Sequence, residues 1–66
     1  MENKMKVLRK ELGFSQESLA ERCEVTRQTI NAIENNKYDP TLEVAFRLSF
    51  QLNTTIDDLF AWRQDR

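Results

Sequence analysis

Apolar residues recur at helical spacing through most of the chain, and polar punctuation cuts the pattern into five segments. Over about residues 3–12, Met5, Leu8 and Leu12 share a stripe with Val7 beside it, and Gly13 stands just past it, where a left-handed C-terminal cap belongs. Ser15 is placed to cap a second helix, with Glu17 favourable in its first turn and Leu19, Ala20 and Cys23 on its buried stripe. Glu24 takes the turn and Val25 plugs it; Thr26 caps a third helix. At 100° per residue, Thr29, Ile30, Ile33 and Glu34 fall on one side of that helix, and Arg27, Gln28, Asn31, Ala32 and Asn35 on the other. Asn35-Asn36 ends it, because Asn tolerates left-handed backbone, and Asp39-Pro40 blocks continuation. Thr41 opens a fourth helix with Leu42, Ala45, Leu48, Ser49 and Leu52 on one stripe, Phe46 at its edge and Phe50 pointing away. The spacing of Thr55 and Asp58 matches a capping box and starts a short fifth helix with Ile56, Leu59 and Phe60. The tail AWRQDR fits either frayed helix or a short strand.

The prediction is an all-α, compact five-helix domain spanning residues 1–66. Composition narrows what it can do. One Gly and one Pro in 66 residues argue against an all-β fold rich in tight turns. A single Cys excludes a disulfide framework and a cysteine-based zinc site, and the absence of His removes the commonest general base and metal ligand. With no Gly-rich loop and no paired nucleophile and base, no enzyme is expected, and neither a cofactor nor a metal nor a small-molecule ligand. No apolar run is long enough to span a membrane, and MENKMKVLRKELG lacks the continuous apolar core of a signal peptide. The expected compartment is the cytoplasm.

Residues 15–35, SQESLAERCEVTRQTINAIEN, then stand out. Two short amphipathic helices, each opened by a capping hydroxyl and joined by a tight turn, have the layout of a helix-turn-helix, whose second helix enters the DNA major groove. Arg27, Gln28 and Asn31 open that helix on its polar side. Arg can pair with guanine O6 and N7 in bidentate fashion, and Gln or Asn with adenine. The net charge of −1 cuts against binding nucleic acid. The contact face must therefore be locally basic, through Arg27 and Lys37 with help from Lys4, Lys6 or Lys10.

SQESLAE, VTRQTINAIENNKYDPTLEVAFRLS and IDDLF resemble the Cro/C1-type (Xre family) helix-turn-helix transcriptional regulators, over roughly residues 4–60. The length and the Phe-x-Trp ending look most like very small stand-alone members, which are homodimers of five-helix subunits, some with a short terminal β-ribbon. The resemblance implies a double-stranded DNA partner with an inverted-repeat operator, read by Arg27, Gln28 and Asn31. It implies phosphate-side or positioning contacts from Gln16, Thr26, Asn35, Asn36, Lys37 and Tyr38. It implies an internal ion pair between Arg9 and Glu34, in keeping with the carboxylate that helical spacing places on a core face. A dimerisation segment is expected over about residues 50–66, using Phe50, Phe60 and Trp62, unless these aromatics wrap the edge of their own core. Two positions depart from the family's pattern: Glu24 and Asn36 stand where Gly is usual. The expected function is a homodimeric repressor; the alternative is a protein-interaction module or antitoxin on the same fold.

Overall fold

A computed structural model describes residues 1–61. The order is β1 (Glu2–Asn3), α1 (Met5–Glu11), α2 (Gln16–Cys23), α3 (Arg27–Glu34), α4 (Leu42–Gln51), α5 (Ile56–Leu59) and β2 (Phe60–Ala61). The predicted five helices are present. A two-residue antiparallel ribbon joins the ends of the described chain, pairing Glu2 with Ala61 and Asn3 with Phe60.

Each helix begins where a short polar side chain replaces a missing backbone partner. Ser15 and Ser18 form a reciprocal box at α2, each Oγ accepting from the other's backbone N–H at 2.9 and 3.0 Å. Thr26, Thr41 and Thr55 cap α3, α4 and α5 by accepting from Thr29, Val44 and Asp58 N–H. At α1 the acceptor comes from one residue earlier than the cap position: Asn3 Oδ1 takes the Met5 N–H at 3.0 Å.

The helix ends share one device. Gly13, Glu24, Asn36 and Asn53 all have left-handed backbone. The residue after each donates back to a carbonyl in the preceding turn: Phe14 to Arg9, Val25 to Ala20, Lys37 to Ala32 and Thr54 to Ser49. This is the Schellman arrangement, which satisfies the orphan carbonyls and turns the chain sharply. At α2 the Arg47 guanidinium of α4 adds a bond to the Cys23 carbonyl at 3.3 Å.

Met5, Leu19, Ala20, Cys23, Ile30, Ile33, Ala45, Leu48, Leu52, Leu59 and Phe60 form one core, with Leu8, Phe14, Val25, Val44 and Ile56 packed around it. α2 lies at the centre, packed on α3 and α4. Several expectations need correction. α1 starts at Met5 rather than near residue 3, because Asn3 is drawn into the ribbon. Leu12 and Leu42 are exposed, standing at the C-cap of α1 and the first position of α4, where the helical stripe reaches its end. Phe60 is buried in the core of its own subunit and belongs to β2, so its ring offers little surface to a second copy. Trp62 lies outside the described residues.

Candidate nucleic-acid interface

α3 is held by its apolar side. Ile30 and Ile33 are fully buried against α2 and the core, so the opposite side faces outward by geometry. Arg27, Gln28 and Asn31 are all exposed there. Among the described residues, neither the Arg27 nor the Gln28 side chain makes a hydrogen bond or ion pair inside the protein. Both remain free to reach outward from the first turn of α3.

Gln28 borders a shallow concavity with Thr26, Thr29, Ala32 and Tyr38. Tyr38 is thereby brought beside the outer side of α3 from the loop that follows it. The Thr26 hydroxyl caps the Thr29 N–H and lies 3.0 Å from the Thr29 hydroxyl, which ties up much of its bonding capacity. Asn36 supplies the left-handed residue after α3, and Lys37 follows it, exposed. These residues border the C-terminal end of α3, while Gln16 approaches α3 from the first turn of α2.

Beneath this face lies a polar cluster. Arg9 Nε donates to Glu34 Oε2 at 2.6 Å and Arg9 Nη2 to Glu34 Oε1 at 3.2 Å. Arg9 Nη1 donates to the Phe14 carbonyl at 2.9 Å. With the two side chains only 9% and 3% exposed, this is a buried bidentate pair, and the expected internal ion pair is present. Gln16 joins it: its Nε2 donates to Glu34 Oε1 at 3.1 Å and to Asn31 Oδ1 at 3.2 Å. Asn35 Nδ2 donates to the Asn31 backbone carbonyl at 2.9 Å and to Asn31 Oδ1 at 3.1 Å. Gln16 and Asn35 therefore turn their amide protons into the protein, which leaves the Gln16 side chain only its oxygen for outward contact.

One feature escaped sequence reasoning, and another was read only in part. Asn3 Nδ2 donates to the Ile33 carbonyl at 2.9 Å, tying the ribbon to the end of α3. No local pattern marks a contact between residues thirty positions apart. On α4, Leu42, Phe46 and Phe50 stand 70%, 58% and 80% exposed, one helical turn apart each. The core takes the expected stripe of Ala45, Leu48, Ser49 and Leu52 and Phe50 points away from it as expected, whereas Leu42, read as core, and Phe46, read as its edge, are exposed beside Phe50.

A sequence profile described as helix-turn-helix matches residues 5–59. An uncharacterized helix-turn-helix-type transcriptional regulator of Methanocaldococcus jannaschii is 43% identical over 65 residues, covering 98% of each chain. Among solved structures, the restriction-modification controller protein C.AhdI of Aeromonas hydrophila superposes with a TM-score of 0.79 at 26% identity, covering 86% of each chain. The biofilm master regulator SinR, solved in complex with DNA, superposes with a TM-score of 0.74 at 30% identity, over 80% of this chain and 86% of that one.

Proposed function

Because the chain belongs to the Cro/C1-type (Xre) helix-turn-helix family of DNA-binding transcriptional regulators, which are not enzymes, we propose that it is a homodimeric repressor reading an inverted-repeat operator. α3 enters the major groove, with Arg27, Gln28 and Asn31 toward the base edges. The observation that carries this is the contrast across α3: buried Ile30 and Ile33 behind, unpartnered Arg27 and Gln28 in front. Lys37, Tyr38 and the backbone N–H groups at the α2 N-terminus, Gln16 among them, contact phosphates on either side. Thr26 and Asn36 position these groups by fixing the two ends of α3.

Two copies join through α4. Leu42, Phe46 and Phe50 make an exposed apolar stripe along one side of α4, of the kind that marks an interaction surface. Dimerisation also answers the charge problem. Each subunit brings few cations to the duplex, and two subunits double the neutralised phosphates. Half-sites should lie about one helical turn, ~34 Å, apart. No helix among the described residues is long and apolar enough to cross a membrane, and the reading places the protein in the cytoplasm with DNA.

The test is selection of bound duplexes from a random pool. An inverted-repeat consensus is the expected result, and an unenriched pool would leave the net charge of −1 to favour the interaction-module alternative. Gln28→Ala should weaken binding to the selected site by about 1–3 kcal/mol with unchanged melting. Undiminished affinity in a titration would remove Gln28 from the reading face.

A further inference from the structure

Unlike Arg27 and Gln28, Asn31 is held from within the protein, and the way it is held fixes which end of its amide faces out. The chain of bonds starts from groups that cannot reverse. The Arg9 guanidinium only donates, and the Glu34 carboxylate it holds only accepts. Gln16 must therefore turn its Nε2, not its oxygen, toward Glu34, and the second proton of that Nε2 points at Asn31 Oδ1. A separate constraint acts from the other side. The Asn31 backbone carbonyl only accepts, so Asn35 must turn its Nδ2 toward it, and that same nitrogen reaches Asn31 Oδ1. Two donors, each oriented by a different acceptor-only group, converge on one oxygen. Rotating the Asn31 amide by half a turn would set its Nδ2 against both and lose both bonds. Amide orientation is ordinarily assigned rather than observed; here the fixed polarity of the neighbours decides it.

An asparagine with a free amide reads adenine by accepting from N6 and donating to N7 at once. Asn31 has its oxygen occupied, and only Nδ2 is left to face the groove. Resting on the reading of α3 as the groove helix, we infer that Gln16 and Asn35 are positioning residues that make Asn31 a donor-only reader, selecting guanine, whose O6 and N7 both accept, over adenine. Cytosine, which presents a donor there, is rejected outright.

The test uses the full chain in random-pool selection, comparing wild type, Asn31→Ala and the Gln16→Ala/Asn35→Ala double variant. Wild type should enrich guanine over adenine roughly tenfold at one position of each half-site. Asn31→Ala should abolish the preference at that position alone. The double variant frees the amide, and adenine should rise to parity with guanine there while other positions hold. Adenine enriched by wild type at the Asn31-dependent position, or a guanine preference untouched in the double variant, overturns the inference and leaves the groove reading standing. No position responding to Asn31→Ala likewise overturns the inference, and a wild-type pool without any consensus overturns the groove reading with it. Should the double variant not fold, amide exchange on the free wild-type protein decides the matter. The side-chain NH₂ protons of Gln16 and Asn35 should exchange more slowly than those of Asn31, and equal rates overturn the inference.

Discussion

Glu34 shows how much can depend on a single carboxylate. It sits on the buried side of α3 and is answered by Arg9 in bidentate geometry, with Gln16 on its remaining lone pairs. Removing one member of such a pair strands the other in the interior. Glu34→Ala should cost about 3–5 kcal/mol in denaturant unfolding, a large share of the stability of a domain this size. Preserved melting with lost DNA binding would instead place Glu34 on the DNA. Cys23 makes a quieter contribution. Burial raises its thiol pKa above the ordinary value, with Arg47 opposing in part. The unfolded chain then ionises first, so this contribution is intact below the ordinary thiol range and is lost as pH rises through it toward the folded value. Between pH 8 and pH 10, wild type should lose more melting temperature than Cys23→Ala; equal losses would show the thiol to be uninvolved.

At the scale of elements, four helices end on the same left-handed turn with different residues filling it. Gly13 suits it, Asn36 and Asn53 tolerate it, and Glu24 is strained, since its Cβ meets the following carbonyl. Glu24→Gly should stabilise by up to about 1 kcal/mol, and Gly13→Ala should destabilise by about as much. Open space surrounds the position a Gly13 Cβ would occupy, so the loss in the second variant would be backbone strain alone. Chemical denaturation of both checks the pair, and a neutral Gly13→Ala would refute the strain argument. The helices themselves were legible because their signals are local: Ser15, Thr26, Thr41 and Thr55 announce starts, and Gly13 and Asn36 announce ends. Leu12 and Leu42 misled because periodicity identifies a stripe without saying how far its cover extends. Phe60 misled because a two-residue ribbon, paired across the length of the domain, leaves no periodic trace. At the interface, the outward side of α3 followed from the same periodicity, whereas the inward turn of the Gln16 amide depended on where a neighbouring helix sits.

At the scale of the molecule, the proposed dimer rests on the exposed apolar side of α4. Leu42, Phe46 and Phe50 project into water from a chain whose other large apolar groups mostly find cover. Phe46→Glu with Phe50→Glu should convert dimer to monomer by sedimentation while leaving the melting of the monomer fold intact. It should also flatten the salt dependence of operator binding toward that of one subunit. A wild-type chain that sediments as a monomer at every concentration would remove α4 as the joining surface.

The ribbon governs the order in which the chain folds. Asn3 and Phe60 lie near opposite ends of the described residues, so their pairing closes a loop that takes in nearly the whole fold. The same meeting seats the Phe60 ring and sets the Asn3 amide on the Ile33 carbonyl at the foot of α3. Helices can coil early from local contacts, yet the foot of α3 is braced only when this most distant pairing closes.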